Sequence, residues 1–207
     1  MTNVLIVEDQ NLVLEMLTEA VSNSENYRVT HTTRSADVAP SICSMGDVEL
    51  VLMDVCTEFE ASGLDAAELI KQTHPEIKII VITSIPEASW LERARKIGVD
   101  SFWYKRASSE LLSVMDRTME GQSIYPDTTP TVKIGNAYNF DFSKREIDIL
   151  RELTTGASNK AISEQFGISE ETVASHIKKM LKKTGLKNRT VLALESQKTG
   201  IVMKIGK

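Results

Sequence analysis

Apolar residues in the first part of this chain fall in short runs, each followed by a longer stretch with helical spacing. Val4-Leu5-Ile6-Val7 and Leu50-Val51-Leu52-Met53 are unbroken and predict strands buried on both faces. Lys78 to Ile82 is a similar run, dense in Ile and Val. Arg28 to Thr32 alternates around Val29 and predicts a weaker strand near an edge, and Ser101 to Tyr104 predicts a short fifth strand. The intervening patterns predict helices. One carries Leu12, Met16, Leu17, Ala20 and Val21. The next carries Val38, Ile42 and Met45 behind a Ser35 cap. A third carries Leu64, Ala67, Leu69 and Ile70. Ala88 to Ile97 is a helix closed by Gly98, and Leu111, Leu112, Val114, Met115 and Met119 follow a cap at Ser108 or Ser109. Five alternations of strand and helix predict an α/β, doubly wound, five-stranded parallel sheet of the flavodoxin-like kind, over residues 1–120.

From Gly121 to about Asn139 the periodicity fades. Pro126, Thr128, Thr129, Pro130, Thr131, Gly135 and Asn136 are loop-formers, so residues 121–140 are expected to be a semi-flexible linker. Residues 141–207 then read as helix only. Ser143 and Glu146 form a capping box, with Phe142 and Ile147 at the staple positions and Ile147, Leu150 and Leu153 as the buried face. Ser158 caps a short helix with Ala161, Ile162 and Phe166, which ends at Gly167. Ser169 opens the next helix two residues later, which is helix-turn-helix spacing. In that helix Val173, Ile177, Met180, Leu181 and Thr184 form one stripe. Ser175, Lys178, Lys179 and Lys182 point the other way, as a helix seated in a major groove requires. Asn188 opens a fourth helix with Val191, Leu192 and Leu194, so this part is an all-α, four-helix domain. His176 lies on the flank of the third helix, suited to packing or a phosphate contact and without partner ligands for a metal.

Charge separates the two parts. From residue 141 onward there are thirteen Lys/Arg against eight Asp/Glu, a net +5, while residues 1–140 carry a net −10. A basic rear domain suits nucleic acid. No apolar run is long enough to span a bilayer, the first residues pass straight into a strand rather than a signal peptide, and two cysteines suit a reducing compartment. A cytosolic protein with no membrane partner is expected.

The chemistry gathers where the strands end. Right-handed crossovers bring all strand ends to one rim. Strand one ends at Glu8-Asp9, strand three at Asp54, strand four at Thr83 and strand five at Lys105. Alone, Asp54 reads equally well as a solvated aspartate closing a strand. Grouped carboxylates repel unless they share a cation, and all-oxygen ligands suit Mg²⁺. An aspartate beside such an ion can attack a phosphoryl group while a lysine and a hydroxyl hold its oxygens.

These residues, with the run Gly98 to Phe102, resemble a CheY-like response-regulator receiver domain. The resemblance implies that Asp54 is the phospho-acceptor and that Asp9, Glu8 through water, Asp54 and the backbone carbonyl of Cys56 hold Mg²⁺. It further implies that Lys105 and Thr83 contact the phosphoryl oxygens, and that Thr83 and Phe102 form a switch pair. Two departures stand out. The loop from Cys56 to Gly63 has no proline and one extra residue, and Arg106 follows the lysine where proline is usual. Residues 141 to about 200 resemble the LuxR-type (NarL/FixJ-like) helix-turn-helix domain, through Ser143 to Glu146, Gly156 to Ile162, Ile168 to Val173, His176 and Asn188 to Thr190. This implies DNA contacts from Ser158, Lys160, Thr172, Ser175, Lys178, Lys179 and Lys182. Ala174 stands where a lysine is common. A fourth helix that dimerises would suit a palindromic site.

The expected function is a regulator that accepts phosphate on Asp54 from a sensor histidine kinase and binds promoter DNA as a dimer, and is no enzyme in the turnover sense. One alternative is a DNA-binding regulator whose receiver serves only for dimerisation, independent of phosphorylation. Another is a phosphatase of the haloacid-dehalogenase kind, which would need a second aspartate where Cys56 stands.

Overall fold

The structure, a computed structural model, describes residues 1–105 and 110–202. It divides into two compact units, one built on residues 1–84 and 88–128 and the other on residues 85–87 and from 129 onward.

The first unit is a five-stranded, all-parallel sheet in the order β2-β1-β3-β4-β5. The strands are β1 (Thr2–Val7), β2 (Tyr27–Thr33), β3 (Leu50–Asp54), β4 (Lys78–Thr83) and β5 (Ser101–Tyr104). Each crossover carries a helix: α1 (Asn11–Ser22), α2 (Ala39–Cys43), α3 (Gly63–Thr73) and α4 (Ala88–Lys96), with α5 (Leu111–Met119) after the last strand. The unbroken apolar runs became the central strands, since β1, β3 and β4 are covered on both faces. Val4 to Val7, Leu50 to Met53 and Ile79 to Ile82 are all fully buried. The alternating run became β2, at an edge, as its half-polar pattern requires.

Three helices of this unit differ from the sequence expectation; in α3 Leu69 is 47% exposed while Leu64, Ala67 and Ile70 are buried. In α1 the packed face is Val13, Leu14, Leu17 and Val21, while Leu12 and Met16 are 71% and 53% exposed. Both stripes have helical spacing, and only the docking against β1 and β2 selects between them. The helix expected behind Ser35 is shorter. A 3₁₀ turn at Ala36–Val38 leads into five residues of α-helix with Pro40 in its first turn, and the Ser35 side chain makes no cap. Val38 and Met45 are exposed, and Ile42 alone of the three expected residues is buried. The proposed caps at Ser108 and Ser109, and Arg106 with them, lie outside the described residues.

The second unit corrects the expectation of a loop up to residue 140. Lys133–Ile134 (β6) and Ala137–Tyr138 (β7) pair as a small antiparallel hairpin, with Gly135-Asn136 as its turn. Ile134 and Ala137 are buried in the core of this unit, and two-residue strands are too short for periodicity to reveal. Four helices follow: α6 (Lys144–Thr154), α7 (Asn159–Phe166), α8 (Glu170–Thr184) and α9 (Arg189–Thr199). Their starts are those the caps predict. Ser143, Ser158, Ser169 and Asn188 each accept a backbone N–H from three residues on, and Glu146 returns the bond to Ser143 at 2.8 Å. Gly167 and Gly185 close α7 and α8 in the left-handed conformation. Phe142, Ile149, Leu150, Leu153, Ile162, Val173, Ile177, Met180 and Leu192 make one core; Ala161, expected in it, is exposed.

Candidate functional site

The C-terminal ends of β1 and β3 bring three carboxylates together. Glu8, Asp9 and Asp54 each offer an oxygen, and these oxygens all lie within 4.8 Å of one another. Glu8 is fully buried and Asp54 is 5% exposed. Lys105, carried in just past β5, forms an ion pair with Glu8 and donates to Asp54 at 2.8 Å. Backbone groups complete the cage. The Val55 N–H donates to Asp54 Oδ1 at 2.7 Å, and the Gln10 N–H donates to Glu8 Oε1 at 3.1 Å.

Burial pushes the Asp54 carboxyl above its ordinary value; Lys105 opposes that rise and the Glu8 charge adds to it. Burial alone would depress the Lys105 ammonium, but the Asp54 and Glu8 carboxylates outweigh it and the net shift is upward. Among the described residues one lysine therefore serves two buried acids, which leaves the three carboxylates with less positive charge than negative. Asp9 Oδ1 is buried without a hydrogen-bond partner among the described residues. An all-oxygen donor set containing one orphaned carboxylate oxygen fits a hard divalent cation. Glu8, Asp9 and Asp54 are the side chains that would hold it.

The loop after Asp54 shows how its extra residue is absorbed. Cys56 and Ser62 pair in an isolated antiparallel bridge. Inside it, the Thr57 N–H and hydroxyl both donate to the Ala61 carbonyl, at 3.2 and 3.0 Å. Phe59 sits in this miniature turn with φ 60° and 86% exposed, a strained conformation for a bulky residue. The turn delivers Gly63 against Asp54, where an added Cβ would lie 1.8 Å from the Asp54 carbonyl oxygen. Only glycine lets α3 begin there.

Thr83 and Phe102 are both buried, at 1% exposure each. The Lys105 N–H donates to the Thr83 carbonyl at 2.9 Å, so the hydroxyl residue and the lysine share one corner of the rim. Phe102 stacks against Tyr125 at 6.4 Å and meets Tyr104 edge-on at 5.3 Å. Tyr125 belongs to the stretch read from sequence as linker. It donates its hydroxyl to the Val99 carbonyl and lies under the Arg95 guanidinium, 4.2 Å from the ring centre. The preceding Ile124 pairs with β5, accepting from the Phe102 N–H at 2.8 Å. Composition gave no sign of this docking, because the signal is a single aromatic in a polar stretch.

In the second unit, Ser175, Lys178, Lys179 and Lys182 are exposed on α8, opposite the buried Val173, Ile177, Met180 and Thr184. Lys160 is exposed on α7, and the exposed Ser158 is engaged as its cap. The Thr172 hydroxyl meets that of Ser169 at 3.0 Å, and Ala174 is exposed. His176 is half-buried. Lys183 is withdrawn from the basic face. It pairs with the buried Glu146 at 2.7 Å and donates to the Asp141 carbonyl. Burial would raise the Glu146 carboxyl, yet Lys183 and Ser143 hold it below its ordinary value. Among the described residues no helix is long and apolar enough to cross a membrane.

Residues 4–116 match the family model described as the response regulator receiver domain, and residues 141–196 match that of the bacterial regulatory proteins of the luxR family. The transcriptional regulatory protein LnrK of Bacillus subtilis is 26% identical, over 97% of this chain and 99% of its own. The response regulator protein VraR of Staphylococcus epidermidis is 29% identical, over 90% and 92%. Among solved structures, one of two RcsB dimers bound to two parallel DNAs aligns over 97% of this chain and 99% of the other, with a TM-score of 0.60 at 19% identity.

The cage predicts how charge at residue 54 affects stability. A carboxyl raised in the fold contributes stability below its ordinary pKa and loses it as pH climbs through the raised value. Asp54→Asn keeps the neutral form at every pH. In cation-free buffer at pH 8 it should melt a few degrees above the wild type, on the order of 1 kcal/mol, and the difference should shrink toward pH 4. Calorimetry at the two pH values checks this.

Proposed function

Because this chain belongs to the response regulators, with a receiver domain in front and a luxR-family regulatory domain behind, we propose that it is a phosphorylation-controlled transcriptional regulator of a two-component system. The receiver would take in residues 1–120 and the docked Ile124 and Tyr125, the DNA-binding domain would take in the 133–138 hairpin with the helices of residues 141–207, and the linker is left only the part of 121–140 between them. The observation that carries the reading is Asp54 itself. It is a buried nucleophile at the end of β3, within reach of Glu8 and Asp9 and bound by Lys105 at 2.8 Å.

In this reading an Asp54 carboxylate oxygen attacks the phosphorus of a kinase phosphohistidine. A P–O bond forms, the P–N bond breaks, and its electron pair returns to the imidazole. A bound Mg²⁺ would supply charge neutralisation for the phosphoryl oxygens. Asp9, Asp54, the Cys56 carbonyl and, through water, Glu8 would hold it. Lys105 exchanges its bond to Asp54 for one to a phosphoryl oxygen, and the Thr83 hydroxyl takes another. That movement would leave room for Phe102 to shift. The Phe102–Tyr125 stack supports a path from the acceptor to the start of the linker.

The rear domain would then present α8 to the major groove, with Ser175 near base edges and Lys178, Lys179 and Lys182 near phosphates. Ser158, Lys160 and Thr172 would contact the backbone from the two helix starts. Leu194 on α9 is 59% exposed, which supports pairing of two copies over a palindromic site. Cys43 and Cys56 are both free thiols, which suits a cytoplasmic protein.

Incubation with acetyl phosphate and Mg²⁺ should add one phosphoryl group to the wild type and none to Asp54→Asn, read by intact mass, and should tighten DNA binding. No adduct with unchanged DNA affinity would favour the phosphorylation-independent form, and sustained hydrolysis of phosphate esters would favour an enzyme. Lys178→Ala should weaken DNA binding across sequences and reduce the salt slope of log K by about 1. An unchanged slope would remove Lys178 from the phosphate contacts.

A further inference from the structure

Arg34, the residue after β2, reaches across the rim in a way that no motif predicts. Its Nε and Nη2 both donate to the backbone carbonyl of Asp9, at 3.1 and 2.9 Å. Nη2 also pairs with Glu58 Oε1 at 2.7 Å, and the Glu58 N–H returns to the Arg34 carbonyl at 3.0 Å. Two residues further on, the Ala36 N–H donates to the Thr57 hydroxyl at 2.8 Å. The corner after β2 is thus stitched to both loops that flank Asp54: the acid loop after β1 and the enlarged loop after β3.

The peptide unit between Asp9 and Gln10 is gripped on both sides. Arg34 takes its carbonyl, and Glu8 Oε1 takes its N–H. A peptide plane held at both ends restrains the ψ torsion of Asp9, and so narrows the directions open to its carboxylate. That carboxylate carries the orphaned oxygen, Oδ1. Stability alone gives a weak account of the arrangement, because the Arg34 and Glu58 side chains are 46% and 34% exposed, where an ion pair contributes little. Orientation of a ligand group is what such a contact secures.

We infer that Arg34 is a positioning residue for the cation site: it aims the Asp9 carboxylate through the Asp9 carbonyl, and through Glu58 it couples that aim to the enlarged loop after Asp54. This rests on the reading of the site as a Mg²⁺-assisted phosphoryl acceptor. The opposite effect is also physical. A guanidinium near three acids repels a cation, so if charge alone mattered, removing Arg34 would tighten binding.

The test is a Mg²⁺ titration of the full chain, followed by the amide resonances of Asp9, Asp54 and Glu58, on wild type, Arg34→Ala, Arg34→Lys and Glu58→Gln. Arg34→Ala should weaken Mg²⁺ binding by about tenfold, the scale of a lost outer-shell contact. Arg34→Lys, which can still reach the carbonyl, should recover part of that loss, and Glu58→Gln should lie between wild type and Arg34→Ala. Labelling by acetyl phosphate at saturating Mg²⁺ should stay near the wild-type rate, so that affinity and rate separate. Unchanged or tighter binding in Arg34→Ala beside a wild type that binds Mg²⁺ overturns the clamp alone. Affinity, labelling rate and melting temperature falling together show a merely structural role and overturn it too. A wild type that takes no Mg²⁺ overturns the phosphoryl-acceptor reading and the clamp with it.

Discussion

Among the described residues two buried carboxylates share one ammonium, and the rim of the first unit is arranged around that imbalance. Glu8 is fully buried, Asp54 nearly so, and Lys105 is the cation bonded to both. Burying charge is costly unless it is paired and hydrogen-bonded. The sheet meets part of that cost with backbone N–H groups from Val55 and Gln10 and leaves part unmet at Asp9 Oδ1. A core of this kind is stable enough to fold and still gains from a ligand that brings positive charge. In the response-regulator reading, that deficit is what makes the site responsive.

The loop after Asp54 closes on itself without disturbing the end of β3. It forms a closed turn held by Thr57 and Ala61, and the strain is placed on the exposed Phe59 rather than on the buried strand. Gly63 then re-enters at a fixed point, pressed against the Asp54 carbonyl. The sequence departure lies on the surface of the loop, while its two anchors keep contact with the core.

Much of this fold was legible because its central strands are covered on both faces. Unbroken runs such as Leu50 to Met53 have no competing interpretation once helices are seen between them. Helix starts in the rear domain were equally plain, since Ser143, Ser158, Ser169 and Asn188 act locally on N–H groups three residues away. What failed needed information from afar. Leu12 and Met16 offered an apolar stripe as good as the one that packs, and only tertiary docking chose. Pro40 is the exception: it delayed the start of a helix whose apolar spacing began earlier, and that signal was local and legible. Within the site, acids at strand ends could be listed from the sequence, but Arg34 and Tyr125 could not. Each acts on a backbone carbonyl, and a carbonyl has no residue type to recognise.

The deficit of positive charge among Glu8, Asp9 and Asp54 is the central claim, and thermal unfolding with and without Mg²⁺ tests it most directly. A cation that binds the folded site and not the unfolded chain raises the melting temperature with concentration. The wild type should show that rise, and Asp9→Asn, which removes the carboxylate with the orphaned oxygen, should lose most of it. An equal rise in both proteins, or none in the wild type, would contradict the account.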